Sequence, residues 1–248
     1  MQMKSFKEWT DQKNTSKKNR LCIFDFDGTL ADTPLKPESG QDRRSWNGKD
    51  WWASHASLNS PEKGGFYNGE MNDVVVNAMR KAKTDVNTKV IVLTGRRSPI
   101  AHKVREVLRN NQLFGKRIVD PLQQREYDRF QQELKDGTDS MHPRENDADA
   151  HEEYYTGDHK VTNGIPGTFG HKKHVIEKLV TDNGGFETVE LWDDRKDHIE
   201  LFKTSAREFL KTGLVKNFII HQVYSIPGAP AYVVDMPITL NTTWKTHG

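Results

Sequence analysis

The stretch Leu21-Cys22-Ile23-Phe24-Asp25-Phe26-Asp27-Gly28-Thr29-Leu30 runs an apolar strand straight into two aspartates and a glycine turn. A strand that is apolar on both faces reads as the centre of a parallel sheet, and ligands of open α/β sheets bind beyond the carboxyl ends of such strands. Asp25 and Asp27 stand at that end. With a period of two they point the same way, and two like charges crowd one spot unless a divalent cation lies between them. The expected ion is Mg²⁺.

Working outward, further strands alternate with helices. Lys89-Val-Ile-Val-Leu-Thr94 is a second β-rich run, closed by Gly95-Arg96-Arg97 and followed by the helix-start pair Ser98-Pro99. Val74, Val75, Ala78, Met79 and Ala82 before it, and Ile100, Val104, Val107 and Leu108 after it, recur at helical spacing. Arg117-Ile-Val119 is a weaker strand candidate. The segment His171 to Val180 reads as an amphipathic helix stopped by Gly184-Gly185. Thr188 to Trp192 then leads into Asp193-Asp194-Arg195, a helix carries Ile199, Phe202, Phe209 and Leu210, and Phe218 to Val223 supplies the last core strand. This alternation predicts an α/β fold, a three-layer Rossmann-like parallel sheet with helices on both faces.

Two intervals break the rhythm, about 31–72 and about 120–168, and both read as insertions. The first holds Trp46, Trp51, Trp52, Phe66 and Tyr67 and suits a small cap. The second is dominated by the acidic run from Asp136 to Asp158, expected to be a solvated surface excursion outside the core sheet. The expected organisation is a basic N-terminal segment over 1–19, one domain over 20–225 with these insertions, and a C-terminal extension over 226–248.

Composition narrows the class. The 248 residues are 34% hydrophobic, and the mean hydropathy of -0.84 leaves no apolar run fit to span a bilayer. Residues 1–20 lack the apolar region of a secretory signal. The single Cys22, set in an apolar strand, reads as a core thiol and fits a reducing cytoplasm. A net charge of +2 is too mild to prove a polyanionic partner. No GxxxxGK[ST] is present, which excludes a P-loop kinase half.

In a parallel sheet the strand ends at Asp25/Asp27, Thr94-Gly95-Arg96 and Asp193-Asp194 converge on one edge. Asp25-Phe-Asp27-Gly28-Thr29-Leu30, Val90-Ile-Val-Leu-Thr94-Gly95-Arg96 and Leu191-Trp-Asp193-Asp194-Arg195 resemble, in that order, the first, second and fourth motifs of the haloacid-dehalogenase-like superfamily. A narrower resemblance, over about residues 20 to 225, is to the haloacid-dehalogenase domain of Swiss Army Knife RNA repair proteins. It adds Gly48-Lys-Asp-Trp51-Trp52-Ala-Ser-His55, Thr168-Phe-Gly-His171-Lys172 and the extension of the fourth motif through His198 to Phe202. His171 departs from that pattern, which has an aromatic residue before the lysine.

The resemblance implies a Mg²⁺-dependent phosphomonoesterase. Asp25 would be the nucleophile that forms an aspartyl-phosphate, Asp27 the acid and base, and Thr94 a phosphoryl holder. Lys172, or else Lys173, would neutralise the transferring group. Mg²⁺ would take the Asp25 carboxylate, the Asp27 backbone carbonyl and Asp194, with Asp193 holding a metal-bound water. Gly95, Arg96 and Arg195 are candidates to orient phosphate or nucleotide. Trp51 and Trp52 would either stack on a base or anchor the cap. The implied substrate is a phosphorylated nucleotide or nucleic-acid end. A small metabolite phosphatase and a non-catalytic binding module are the alternatives.

Overall fold

The computed structural model describes residues 18–34, 51–97, 100–113, 151–156, 167–226 and 229–240. Its centre is the opening stretch. Strand β1 (Arg20–Phe24) lies between β2 (Thr88–Arg97) and β4 (Phe186–Asp193) and runs parallel to both, with Phe24 opposite Val92 on one side and Trp192 on the other. Strand β3 (His151–Thr156) flanks β2 and β5 (Val215–Ile226) flanks β4, again in parallel. Strand β6 (Ala229–Ile238) pairs antiparallel with β5, so the order is β3-β2-β1-β4-β5-β6.

Period-two alternation divides β1 between two cores. Cys22 and Phe24 pack with helices α1 (Asp73–Thr84) and α2 (Ala101–Asn110), through Val75, Val76, Met79, Val104 and Leu108. Leu21 and Ile23 pack on the opposite face with α3 (Gly167–Asp182) and α4 (Lys196–Thr212), through Val175, Ile176, Ile199 and Phe202. This is the three-layer α/β architecture that the alternation predicts. Each buried side chain of this size contributes about 1.5–3 kcal/mol. On the first face Phe24, Trp192 and His221 stack ring on ring, with centroids 4.3 and 4.0 Å apart, tying β1, β4 and β5 together.

The structure departs from the sequence reading at several places. The acidic run ends inside the sheet, because His151-Glu-Glu-Tyr-Tyr-Thr156 pairs with β2 as β3. An outer strand with one neighbour tolerates charged residues that a central strand does not. The sheet is mixed, since residues 229–238, expected in a C-terminal extension, form β6, and the boundary expected at 225 falls within β5. The apolar stripe of α1 is rotated by one residue: Val76 is buried and Val74 is 43% exposed. Three consecutive valines let a helix bury either pair. The strand candidate 117–119 and most of the acidic run lie outside the described residues, as does the N-terminal segment 1–17. Among the described residues no helix is long and apolar enough to cross a membrane.

Candidate active site

The site forms where three parallel strands end. At the end of β1, Asp25 donates its N–H to Trp192 O at 3.0 Å, and the chain then turns sharply. Ala31 N donates to Phe26 O and Gly28 N to Ala31 O, at 2.9 and 2.8 Å. Within this turn Phe26 N donates to Asp25 Oδ1 at 2.7 Å, which aims Oδ2 at Lys172 Nζ, 2.6 Å away. The turn corrects the expectation that Asp25 and Asp27 crowd one spot. Period-two geometry stops at Phe24, and the Asp27 carboxylate turns instead to Arg96.

The partners that crowd Asp25 come from β4. Ligand oxygens of Asp25, Asp193 and Asp194 lie within 4.8 Å of one another, inside the reach of one coordination sphere. Lys172 Nζ, on a side chain 1% exposed, bridges Asp25 Oδ2 and Asp193 Oδ2 at 2.6 and 2.7 Å. Asp193 Oδ1 also accepts from Arg195 N at 3.0 Å, and His198 Nδ1 stands 3.5 Å from Asp193 Oδ2. Asp194 Oδ1 accepts a longer bond from Thr29 Oγ1, at 3.3 Å. Gly28, at φ +68°, makes room for this carboxylate, since a Cβ there would sit 2.3 Å from Asp194 Oδ2. Lys173 lies outside the cluster, paired with Glu208 at 3.0 Å.

Charge is unevenly settled across the three acids. Burial pushes Asp25 well above the usual carboxylate range, and Asp193 and Asp194 add to this against the pull of Lys172. Burial and Asp193 together push Asp194 up to about 6. Burial acts on Asp193 the same way, but Lys172 and His198 more than offset it and hold the carboxyl below its ordinary value. Burial would lower Lys172, yet Asp193 and Asp25 raise it further, so the ammonium persists. Two carboxylates therefore carry repulsion that one lysine does not cancel. Convergent hard oxygens with surplus negative charge fit a divalent cation of the Mg²⁺ kind.

A second constellation gathers at Asp27. Arg96 at the end of β2, 0% exposed, reaches Asp27 Oδ1 with Nη2 at 2.6 Å and Nε at 2.8 Å. Thr33 Oγ1 donates to the same oxygen at 2.8 Å, and Thr94 Oγ1 stands 3.5 Å from Oδ2. Thr94 Oγ1 in turn accepts from Arg96 N at 3.0 Å. Gly95 lies against the first turn of α3, where a Cβ would meet Thr168 Cγ2 at 2.7 Å.

The remaining candidates separate by exposure. Trp51 is buried, edge-on to Phe66 at 5.6 Å, with Nε1 donating to Pro34 O, which is how an anchor sits. Trp52 is 39% exposed, and its ring centroid stands 5.4 Å from the Arg96 guanidinium carbon. Arg195 pairs with Asp197 at 2.7 Å on the surface. The sequence reading missed Ser57, Thr33 and Thr29. Hydroxyls in irregular segments carry no periodic signal, and only the folded chain brings Thr29 and Thr33 to the aspartates and Ser57 to Arg96.

Searches of curated proteins and of solved structures found no match. A family model does match, over residues 39–234, roughly four fifths of the chain. It describes HAD domain family 1 in Swiss Army Knife RNA repair proteins; HAD proteins are mostly phosphatase-type hydrolases that typically use Mg²⁺. Strand β1 precedes the matched span, yet it lies between two of that span's strands and carries Asp25 to the span's acids. With its α/β sheet and its acids at the strand ends, the chain belongs to this family of HAD domains.

Proposed function

We propose that the chain is a Mg²⁺-dependent phosphomonoesterase that works through an aspartyl-phosphate. The observation that carries this reading is the Lys172 bridge between Asp25 and Asp193, with Asp194 inside the same 4.8 Å cluster. A lysine held between two acids serves a group that gains and loses negative charge. Asp25, Asp194 and the Asp27 carbonyl would hold the ion, which, when bound, offsets charge on the phosphoryl oxygens and the attacking carboxylate.

The chain's own residues do the rest. Asp25 attacks phosphorus, forming an O–P bond as the bond to the leaving oxygen breaks. Asp27 gives that oxygen a proton, and later takes one from the water that attacks the aspartyl-phosphate. Lys172 holds Asp25 in line and neutralises charge spreading over the transferring group. Thr94, fixed by the Arg96 N–H, offers its hydroxyl to a phosphoryl oxygen.

For the substrate we favour a terminal phosphate on a nucleotide or nucleic acid, because the matched family is named for RNA repair proteins. Trp52, 39% exposed and 5.4 Å from the Arg96 guanidinium carbon, would stack on a neighbouring base or sugar. The test is turnover of p-nitrophenyl phosphate, mononucleotides and terminally phosphorylated oligonucleotides with Mg²⁺ or EDTA. Wild-type turnover in D25N refutes the nucleophile. Tight binding of an oligonucleotide without turnover of any ester favours an accessory module instead.

A further inference from the structure

Arg96 reads in sequence as a phosphate binder, yet the structure commits its guanidinium inward. Nε and Nη2 face the Asp27 carboxylate. Nη1 donates to Ser57 Oγ at 2.6 Å, and Ser57 is 0% exposed. The Ser57 hydroxyl donates its own hydrogen to Ser54 O at 2.7 Å, so its oxygen is set as an acceptor in one orientation. Phe26 and Trp52 stand 5.8 and 5.4 Å from the guanidinium carbon. Residues 51–58, inserted between the first and second motifs, thus reach Asp27 through a fully buried cation.

The two Asp27 oxygens are not equivalent. Oδ1 accepts from Arg96 Nη2, Arg96 Nε and Thr33 Oγ1, all within 2.8 Å. Among the described residues Oδ2 meets only the shared Nε at 3.0 Å and Thr94 Oγ1 at 3.5 Å. Three close donors occupy Oδ1 and fix the carboxyl plane, which leaves Oδ2 as the oxygen that faces the threonine at the phosphoryl position. We infer that Ser57 and Arg96 are positioning residues that hold the Asp27 carboxyl with Oδ2 turned to the reacting phosphoryl group, making proton delivery to the leaving oxygen depend on the inserted segment. This rests on the phosphatase reading above and adds a specificity determinant to it.

The chemistry gives a discriminating test. As the bond from phosphorus to the leaving oxygen breaks, its electron pair stays on that oxygen, which takes the Oδ2 proton while Asp25 bonds to phosphorus. A strongly basic alkoxide, such as a nucleoside oxygen, needs that proton. A weakly basic nitrophenolate leaves almost without it. Losing a well-placed general acid costs on the order of 10²–10⁴ in rate, and misplacing one costs part of that.

The experiment compares kcat for wild type, S57A and S57T, with Mg²⁺, on p-nitrophenyl phosphate and on the alkyl phosphate that wild type hydrolyses fastest among nucleoside monophosphates and phosphorylated oligonucleotide ends. S57A is expected to lose about tenfold or more on the alkyl ester and less than about threefold on the nitrophenyl ester, with S57T restoring both. Equal losses on the two esters, or no loss in a normally folded S57A, overturn the inference. So does a wild type active on the nitrophenyl ester alone. Should S57A not fold, R96K, which keeps the cation and loses the fork, must show the same split. Turnover of neither ester by wild type sinks the phosphatase reading, and the inference with it.

Discussion

Replacing Asp194 with asparagine should reverse the sign of its effect on stability when Mg²⁺ is added. Asp194 sits within the acid cluster, and burial together with Asp193 pushes its carboxyl from an ordinary 3.8 up to about 6. A carboxyl raised on folding adds stability below about pH 4, and that contribution is lost as pH climbs towards 6. The metal-free protein at pH 7.5 therefore bears the whole penalty. A shift of about two units, at about 1.4 kcal/mol per unit and shared among interacting acids, amounts to something on the order of 2 kcal/mol. Asparagine keeps the size beside Gly28 and removes the charge, so metal-free D194N should be more stable than wild type by about that amount. With Mg²⁺ at about a hundred times its dissociation constant, wild type should gain about 2.7 kcal/mol, a rise of roughly 5–10 °C in Tm for a chain of this size. D194N should gain little. The assay is thermal melting at pH 7.5 in EDTA and across a Mg²⁺ titration, with a metal-free series from pH 4 to 8. A destabilised metal-free D194N, or an undiminished Mg²⁺ response in it, refutes the shared-cation argument.

Other substitutions probe the remaining assignments. D25N should lower kcat by at least about 10³-fold while Mg²⁺-free melting holds or rises, measured by turnover beside a melt. K172M leaves Asp25 and Asp193 buried without their cation and should cost about 3–5 kcal/mol in urea unfolding as well as most activity. K173M removes only surface pairs with Glu177 and Glu208 and should stay within about 1 kcal/mol and a few-fold in rate. Burial pushes the Cys22 thiol up to about 12, so it should resist alkylation at pH 8 in native protein and react at once in urea, as mass spectrometry would show.

How much of this was legible in the chain depends on whether a residue's role is local. The strand from Leu21 to Phe24, the helical stripes and the acids at strand ends follow from periodicity and from the convergence of parallel strand ends. Preference for Lys172 over Lys173 rested on motif resemblance alone, and helix rotation is what puts the first between Asp25 and Asp193 and the second beside Glu208. The Asp27 clamp was illegible because it is assembled from Thr33, Ser57 and Arg96, which are far apart in sequence and individually ordinary. Strand β3 was hidden by its charge, and β6 by its prolines and by an antiparallel pairing that breaks the alternating rhythm.

The place of β1 in the middle of the sheet governs when this protein can come to life on the ribosome. Its second neighbour, paired from Arg20 to Thr188, lies about 170 residues further along the chain. At roughly 5–20 residues per second the nascent strand waits on the order of ten seconds or more for β4. Until then Asp25 lacks the two acids that the end of β4 brings beside it, and an apolar strand is left open on one edge. A chain ending before β4 thus lacks the acid cluster altogether, and the same interval is the one in which a chaperone has most to protect.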